Sequence, residues 1–291
     1  MEWAELSVAD VPAVVDLAVR CAAVDGALSA TTSPGFLGRR YAGEGVTAVG
    51  VFHDGLLIAS GSVRETGGST VVTGQVDPHR RGRGLGTALL DRLLETARRR
   101  AGGLRVETES LTPAADVLFT SRGLRRTFAE DVMRRDLRAP FPEAAFPAGV
   151  EVEEWNDTNR ADFFEAYASS FADRPGFPGW SRDHWTDWTA GDDDFRPPYS
   201  LLARSADGSA LGFVTCARDF LIQVGAVPSW RHRGLGRALA VTALTRMRDA
   251  GEPEVFLDVN LNNPASATLF RGLGFTPVAR RARYELLRDV G

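Results

Sequence analysis

The chain has 291 residues, 44% hydrophobic and 25% charged, with a net charge of −4 and a pI near 5.7. Such a composition is globular and long enough for two domains, and it excludes disordered and strongly basic nucleic-acid-binding classes. All 34 basic residues are arginine, which excludes a Walker-type phosphate loop and a Schiff-base mechanism, both of which need lysine.

In chain order, the first half predicts a strand at Trp3–Leu6 and a helix at Val11–Ala23, apolar at Val11, Val14, Val15, Ala18 and Val19. Strands follow at Val46–Phe52 and Leu56–Arg64, joined by an Asp54-Gly55 turn. A strand at Thr70–Val76 then feeds a glycine-rich turn and a helix at Leu85–Arg99. Strand Leu104–Thr108, helix Ala114–Ser121 and strand Phe128–Asp136 complete it. The second half predicts strands at Val150–Trp155, Tyr199–Arg204, Leu211–Ala217, Leu221–Ala226, Val255–Val259 and Val278–Glu285. Its helices fall at Arg160–Phe171, Arg182–Thr189, Leu235–Ala250 and Pro264–Leu273.

The two halves share more than this order. Val76–Leu90 aligns with Ala226–Ala240, Arg81 on Arg231, Gly84 on Gly234 and Gly86 on Gly236, and Val117–Leu124 matches Thr268–Phe275 further on. Two blocks recurring in one order mean a duplicated domain. The proline-rich stretch Ala139–Pro147 reads as the joint, so domains are expected at 1–138 and 148–291. The fold class is α/β (α+β mixed): two tandem domains, each a mixed, mainly antiparallel sheet flanked by helices.

Each glycine turn lies between a strand and a helix. The helix N-terminus offers unpaired N–H groups and partial positive charge, the setting for a phosphate. Glycine lets backbone approach such a ligand, and the arginines add forked, charged donors. A Rossmann site is excluded because Gly82-x-Gly84 is followed by Thr87 and comes after several strands, not after the first. His53, His79, His184 and His232 lack ligand spacing, so no metal is expected. Cys21 and Cys216 cannot make a disulfide framework, and no signal or spanning segment is visible; a cytoplasmic setting is expected.

Arg81–Gly86 and Arg231–Gly236 resemble the acetyl-CoA motif Gln/Arg-x-x-Gly-x-Gly/Ala of the GCN5-related N-acetyltransferase (GNAT) family. The family's second motif, Asn-x-x-Ala-x-x-Leu-Tyr followed by Gly-Phe, resembles Asn263, Ser266, Leu269, Phe270, Gly274 and Phe275; Thr112, Phe119 and Gly123-Leu124 are its weaker copy. The resemblance covers nearly the whole chain. It implies acetyl-CoA as cosubstrate, held in the first half by Gln75, Val76, Asp77, Arg81, Gly82, Arg83, Gly84, Leu85, Gly86 and Thr87. In the second half the implied set is Ala226, Val227, Arg231, His232, Arg233, Gly234, Leu235, Gly236 and Arg237, with Asn263, Ser266 and Phe270.

It also implies N-acetyl transfer to a small amine by direct attack on the thioester, with a carboxylate or relayed water removing the proton. Candidate bases are Asp219 and Asp258 in the second half and Glu107 and Glu109 in the first. The tyrosine that in this family protonates the departing thiolate is phenylalanine in both halves, Phe119 and Phe270. Because the second half keeps Asn263 and Gly274-Phe275, turnover is assigned there, with Asp219 as base and Asn263 as a positioning group. Residues 151–194 carry twelve acids against three arginines, and ten aromatics lie between Phe163 and Tyr199. This predicts a cationic amine acceptor. The alternatives are a CoA-binding protein without turnover and a transferase of another acyl group. Neither nucleic acid nor membrane is an expected partner, and the chain is expected to be a monomer or homodimer.

Overall fold

The computed structural model describes residues 1–174, 177–191 and 193–286. Its backbone divides into two compact units, one formed by Met1–Val132, Val259–Asn262 and Pro277 onward, the other by Met133–Asp258 and Asn263–Thr276.

In the first unit β1 (Glu2–Glu5), β2 (Thr47–His53), β3 (Leu56–Thr66) and β4 (Ser69–Val76) pair antiparallel in sequence order. Asp54 and Gly55 both take positive φ, 50° and 77°, the geometry of a two-residue hairpin turn. Helix α3 (Leu85–Arg98) returns the chain so that β5 (Gly103–Thr108) runs parallel to β4. The other neighbour of β5 is the chain's last strand, β12 (Thr276–Leu286), with Ala282 opposite Thr108 and Tyr284 opposite Val106.

Two cores flank this sheet. Helix α1 (Val11–Asp25) buries Val14, Leu17, Ala18 and Cys21, one stripe of its surface, beside Leu37 and Tyr41 of α2 (Pro34–Tyr41). Opposite, α3 buries Leu89, Leu90, Leu93 and Leu94 against Val72 and Val106. The sequence reading has no element at α2. Its signal was present: Ser33 caps the helix by accepting a hydrogen bond from Phe36 N–H, and Pro34 takes the first helical position. Helix α4 (Pro113–Thr120) follows β5.

The second unit repeats the plan. A four-stranded antiparallel sheet contains β7 (Val150–Glu154), β8 (Leu201–Ser205), β9 (Ala210–Cys216) and β10 (Leu221–Ala226). Helices α5 (Arg160–Phe171) and α6 (Arg182–Ala190) bury aromatic side chains around Phe213 of β9. Helix α7 (Leu235–Asp249) follows the second glycine turn and buries Leu239, Leu244 and Met247. Strand β11 (Glu254–Asn260) meets the start of β10 at a parallel Phe220–Phe256 bridge, and α8 (Pro264–Gly272) follows. Strand β6 (Leu124–Asp136) leads into residues 140–147, which form neither helix nor strand. The buried Arg135 side chain anchors that stretch, donating to Pro140 O at 2.6 Å and Ala139 O at 3.2 Å, and also to Leu273 O. Among the described residues, no helix is long and apolar enough to cross a membrane.

Candidate active site

The two glycine turns have the same conformation. Gly84 (φ 79°) and Gly234 (φ 82°) sit in the left-handed region immediately before α3 and α7, with no side-chain cap on either helix. The first helical carbonyl bonds are Ala88 N–H to Gly84 O at 3.0 Å and Ala238 N–H to Gly234 O at 2.9 Å. The preceding N–H groups therefore point out of the helix end, as an anion requires. A Cβ on Gly84 or Gly234 would meet no protein atom within 4 Å, but φ disfavours any L side chain there.

The motif arginines do something other than expected. Arg81 donates through Nη1 and Nη2 to Asp25 at 2.8 and 2.6 Å and through Nε to Val76 O at 3.0 Å. Arg231 grips Asp173 at 2.6 and 2.8 Å and Ser170 O at 2.9 Å. Its hydrogen bonds to the Asp25 carboxylate hold the Arg81 guanidinium above its ordinary range. These two arginines clamp the end of the first helix of each unit onto the turn and are not free phosphate donors. Arg83 and Arg233 are exposed and carry no ion pair among the described residues, so these are the turn arginines open to an anion.

In the first unit the turn opens onto a cleft of about 340 Å³. It exists because β4 and β5 pair only from Ser69–Gly103 to Val72–Val106, then part. Asp77 N–H bonds Ile58 O at 2.9 Å, so by alternation the N–H groups of Gln75 and Thr73 also face β3, while those of Gly74 and Val76 face the cleft. Asp77 is thus not a backbone donor to a ligand. It is 3% exposed, and Arg20 (2.7 Å) and His79 N–H (3.0 Å) outweigh its burial and hold the carboxyl below its ordinary range. Likewise Val227 N–H is taken by Leu211 O at 2.9 Å, leaving Ala226 as the outward donor in the second unit.

The face of the first sheet toward α1 and α2 is polar. Ser60 and Gln75 lie opposite each other on β3 and β4, as do Ser62 and Thr73. On β5 and β12, Glu107 stands opposite Arg283 and Arg105 opposite Glu285. Glu109 lines the cleft and accepts from Arg281 Nε at 2.8 Å, with Arg40 Nη2 of α2 at 2.7 Å. Glu107 accepts from Arg64 Nη2 at 2.8 Å and does not line the cleft.

Tyr41, unnoticed in the sequence, also lines the cleft. Gln75 Nε2 lies 3.5 Å from Val14 O, which can only accept, so the amide nitrogen faces that side. It therefore donates to Ser60 Oγ at 3.3 Å, and Ser60 in turn donates to Tyr41 Oη at 3.3 Å. The phenol accepts from Ser60, and its own proton is directed elsewhere. Burial pushes Tyr41 up to about 12, so it keeps that proton at neutral pH.

In the second unit the equivalent face is filled. Pairing places Phe213 where the first unit has Ser60, and Gly225 where it has Gln75. A Cβ on Gly225 would lie 2.8 Å from Ser170 Cβ, so α5 lies directly on β10. Trp185 is fully buried, stacked 4.9 Å from Tyr167, and donates through Nε1 to Gln223 at 3.0 Å. The aromatic stretch is largely hydrophobic core. Four of the acids beside it are paired: Glu153 and Asp162 with Arg204, Glu154 with Arg246, Asp173 with Arg231. Asp192 lies outside the described residues. Glu165, Asp187 and Asp193 of the same stretch are exposed.

The second-half catalytic candidates separate. Asp219 lies in the bend before β10, its backbone carbonyl accepting from Phe256 N–H at 2.8 Å. Asp258 is partly buried on β11. Asn263 caps α8, its Oδ1 accepting from Ser266 N–H at 3.1 Å, as Thr112 caps α4 at 3.2 Å from Ala115 N–H. Phe270 is 5% exposed and packs edge-to-face on Phe275 at 5.5 Å, whereas Phe119 lines the first cleft. Leu235 is buried, so its side chain is core. Asn263→Ala is expected to cost about 1 kcal/mol of stability, read as a lower Tm with kcat unchanged; a fall in kcat at unchanged Tm would return Asn263 to the chemistry.

Comparison with known proteins agrees with the duplication. The acetyltransferase (GNAT) family model matches residues 29–123 and again 135–275. A mycothiol acetyltransferase of Thermobispora bispora is 30% identical over 284 residues, 92% of each chain. That of Thermomonospora curvata is 34% identical over 218 residues, 72% of this chain and 71% of the relative. A GCN5-related N-acetyltransferase from Sphaerobacter thermophilus shares the fold with a TM-score of 0.78 at 24% identity, over 99% of this chain and 97% of that one. A tandem GNAT protein from the clavulanic acid biosynthesis pathway has a TM-score of 0.67 at 19% identity, over 99% of each chain.

Proposed function

We propose, on the premise that this chain belongs to the acetyltransferase (GNAT) family, that its first half moves an acetyl group from acetyl-CoA to the primary amine of a small acceptor. The observation that carries this reading is the open cleft where β4 and β5 part, with Gln75, Glu109 and Tyr41 on its lining, against an aromatic-filled face in the second unit. When bound, acetyl-CoA supplies an activated thioester.

The chain's residues supply the rest. The turn 82–87 binds phosphate through helix-end N–H groups and Arg83. The outward N–H groups of Gly74 and Val76 stabilise negative charge on an acyl oxygen laid along β4. Glu109 accepts the proton of the acceptor ammonium, directly or through water. Tyr41 Oη takes the place left by Phe119 as donor to the departing sulfur. Full proton transfer from a phenol near 12 to a thiolate whose thiol titrates near 8.5 is uphill by about 5 kcal/mol, so Tyr41 acts as a hydrogen-bond donor. A bond to a charged group is worth about 1.5–3 kcal/mol.

The test is CoA-thiol release from acetyl-CoA with an amine panel, beside calorimetry with CoA. Tyr41→Phe is expected to lower kcat about 10–100-fold at unchanged CoA affinity and evenly from pH 6 to 9. Equal turnover by the variant removes this role, and CoA affinity without thiol release for any amine leaves a binding protein.

A further inference from the structure

Gln75 has a side-chain role separate from the backbone of β4. Strands β4 and β5 last pair at Val72–Val106, so Gln75 and Glu109, each three residues further on, stand at equivalent positions on the two sides of the opening. Both project to the face covered by α1 and α2: Gln75 Nε2 lies 3.5 Å from Val14 O of α1, and Glu109 lies 2.7 Å from Arg40 Nη2 of α2. Both line the cleft.

The Gln75 amide is fixed end for end. Its nitrogen is turned toward β3 and α1, where it donates to Ser60 Oγ at 3.3 Å and faces Val14 O, which can only accept. Its oxygen, on the same carbon, therefore lies on the side away from β3, toward the gap that β5 leaves. Among the described residues, none donates to this oxygen. The cleft thus has two side-chain acceptors on opposite sides of the opening, the Glu109 carboxylate and Gln75 Oε1, beside the outward N–H groups of Gly74 and Val76.

Resting on the acetyl-transfer reading above, we propose that Gln75 Oε1 accepts one N–H of the attacking amine and so selects a primary amine over a secondary one. A neutral primary amine carries a lone pair and two N–H groups. The lone pair forms the carbon–nitrogen bond while the carbon–sulfur bond breaks, its electron pair leaving on sulfur. One N–H proton passes to Glu109. The other stays on nitrogen, held by Gln75, and becomes the N–H of the amide product. A secondary amine has a single N–H, which Glu109 must take, and it turns carbon toward Gln75 Oε1 instead. The oxygen is then left without a partner, a mismatch that a site built for an N–H rejects.

The experiment takes ethanolamine, 2-phenylethylamine and glycinamide, each with its N-methyl counterpart. Thiol release from acetyl-CoA is measured with the unaltered protein and with Gln75→Met, beside calorimetry of CoA binding to both. Methionine keeps the length of the side chain and offers only a weak acceptor. For the primary amine turned over fastest, kcat/KM is expected to be about 10-fold or more above that of its N-methyl counterpart. Gln75→Met is expected to lower kcat/KM for the primary amine about 10-fold, leave the N-methyl amine within about twofold and keep CoA affinity. Equal kcat/KM for the two amines in the unaltered protein would overturn the proposal, and that arm stands even if the variant does not fold. A ratio unchanged in Gln75→Met would overturn it too, since the N-methyl group would then be excluded by shape alone. CoA binding without thiol release from any primary amine would instead remove the acetyl-transfer reading on which it rests.

Discussion

Gly84→Val is expected to end turnover, with CoA affinity at the first site falling roughly 10²–10⁴-fold. Gly84 holds φ 79° at the start of α3, and a β-branched residue in the left-handed region costs about 1–2 kcal/mol. The larger effect is on the ligand side. Nothing in the protein lies within 4 Å of a Cβ at this position, so the new side chain projects into the space where phosphate would meet the helix end. Losing two charge-assisted bonds of about 1.5–3 kcal/mol each gives the stated range. Gly234→Val places the same strain at φ 82° in the second turn. It is expected to remove a second CoA-binding event while leaving kcat within about twofold, in keeping with the filled acceptor face there. Calorimetric stoichiometry and thiol release on both variants make the check; turnover lost in Gly234→Val and kept in Gly84→Val would move the chemistry to the second half.

Glu109→Gln is expected to lower kcat by about 10²–10⁴, the range for loss of a positioned general base, with CoA affinity little changed. The amide keeps the side chain's size and can still accept from Arg40 or Arg281, which the carboxylate now meets at 2.7 and 2.8 Å. Glu107→Gln is the internal comparison. Glu107 holds Arg64 at 2.8 Å and does not line the cleft, so its loss is expected to lower Tm more than kcat. Asp219→Asn, in the bend before β10, is expected to leave kcat unchanged. Loss of turnover in Asp219→Asn with Glu109→Gln fully active would reverse the assignment.

Much of this was legible in the chain itself. The duplication, both glycine turns and the β4–α3 and β10–α7 units follow from local pattern, because a positive-φ turn needs glycine and an amphipathic helix shows its stripe. The alternation Arg105, Glu107, Glu109 already placed those side chains on one face. Helix α2 was legible too, through Ser33-Pro34, and with it Arg40 and Tyr41.

Tertiary structure decided the rest. Periodicity says which face of a strand is polar but not which strand lies beside it, so the pairing of β5 with β12, and hence Arg283 opposite Glu107, could not be read locally. The aromatic stretch after Phe163 had two readings, ligand wall or core. Packing chose core, because Gly225 admits α5 against β10 and the rings fill the space that Ser60 and Gln75 leave polar in the first unit. The motif arginines were legible as charge, but Asp25 and Asp173, brought beside them by the fold, turn that charge into clamps. The sequence determined that there are two glycine turns of one kind; that the first opens onto a cleft and the second lies beside a filled face depended on side chains far apart in the chain meeting in space.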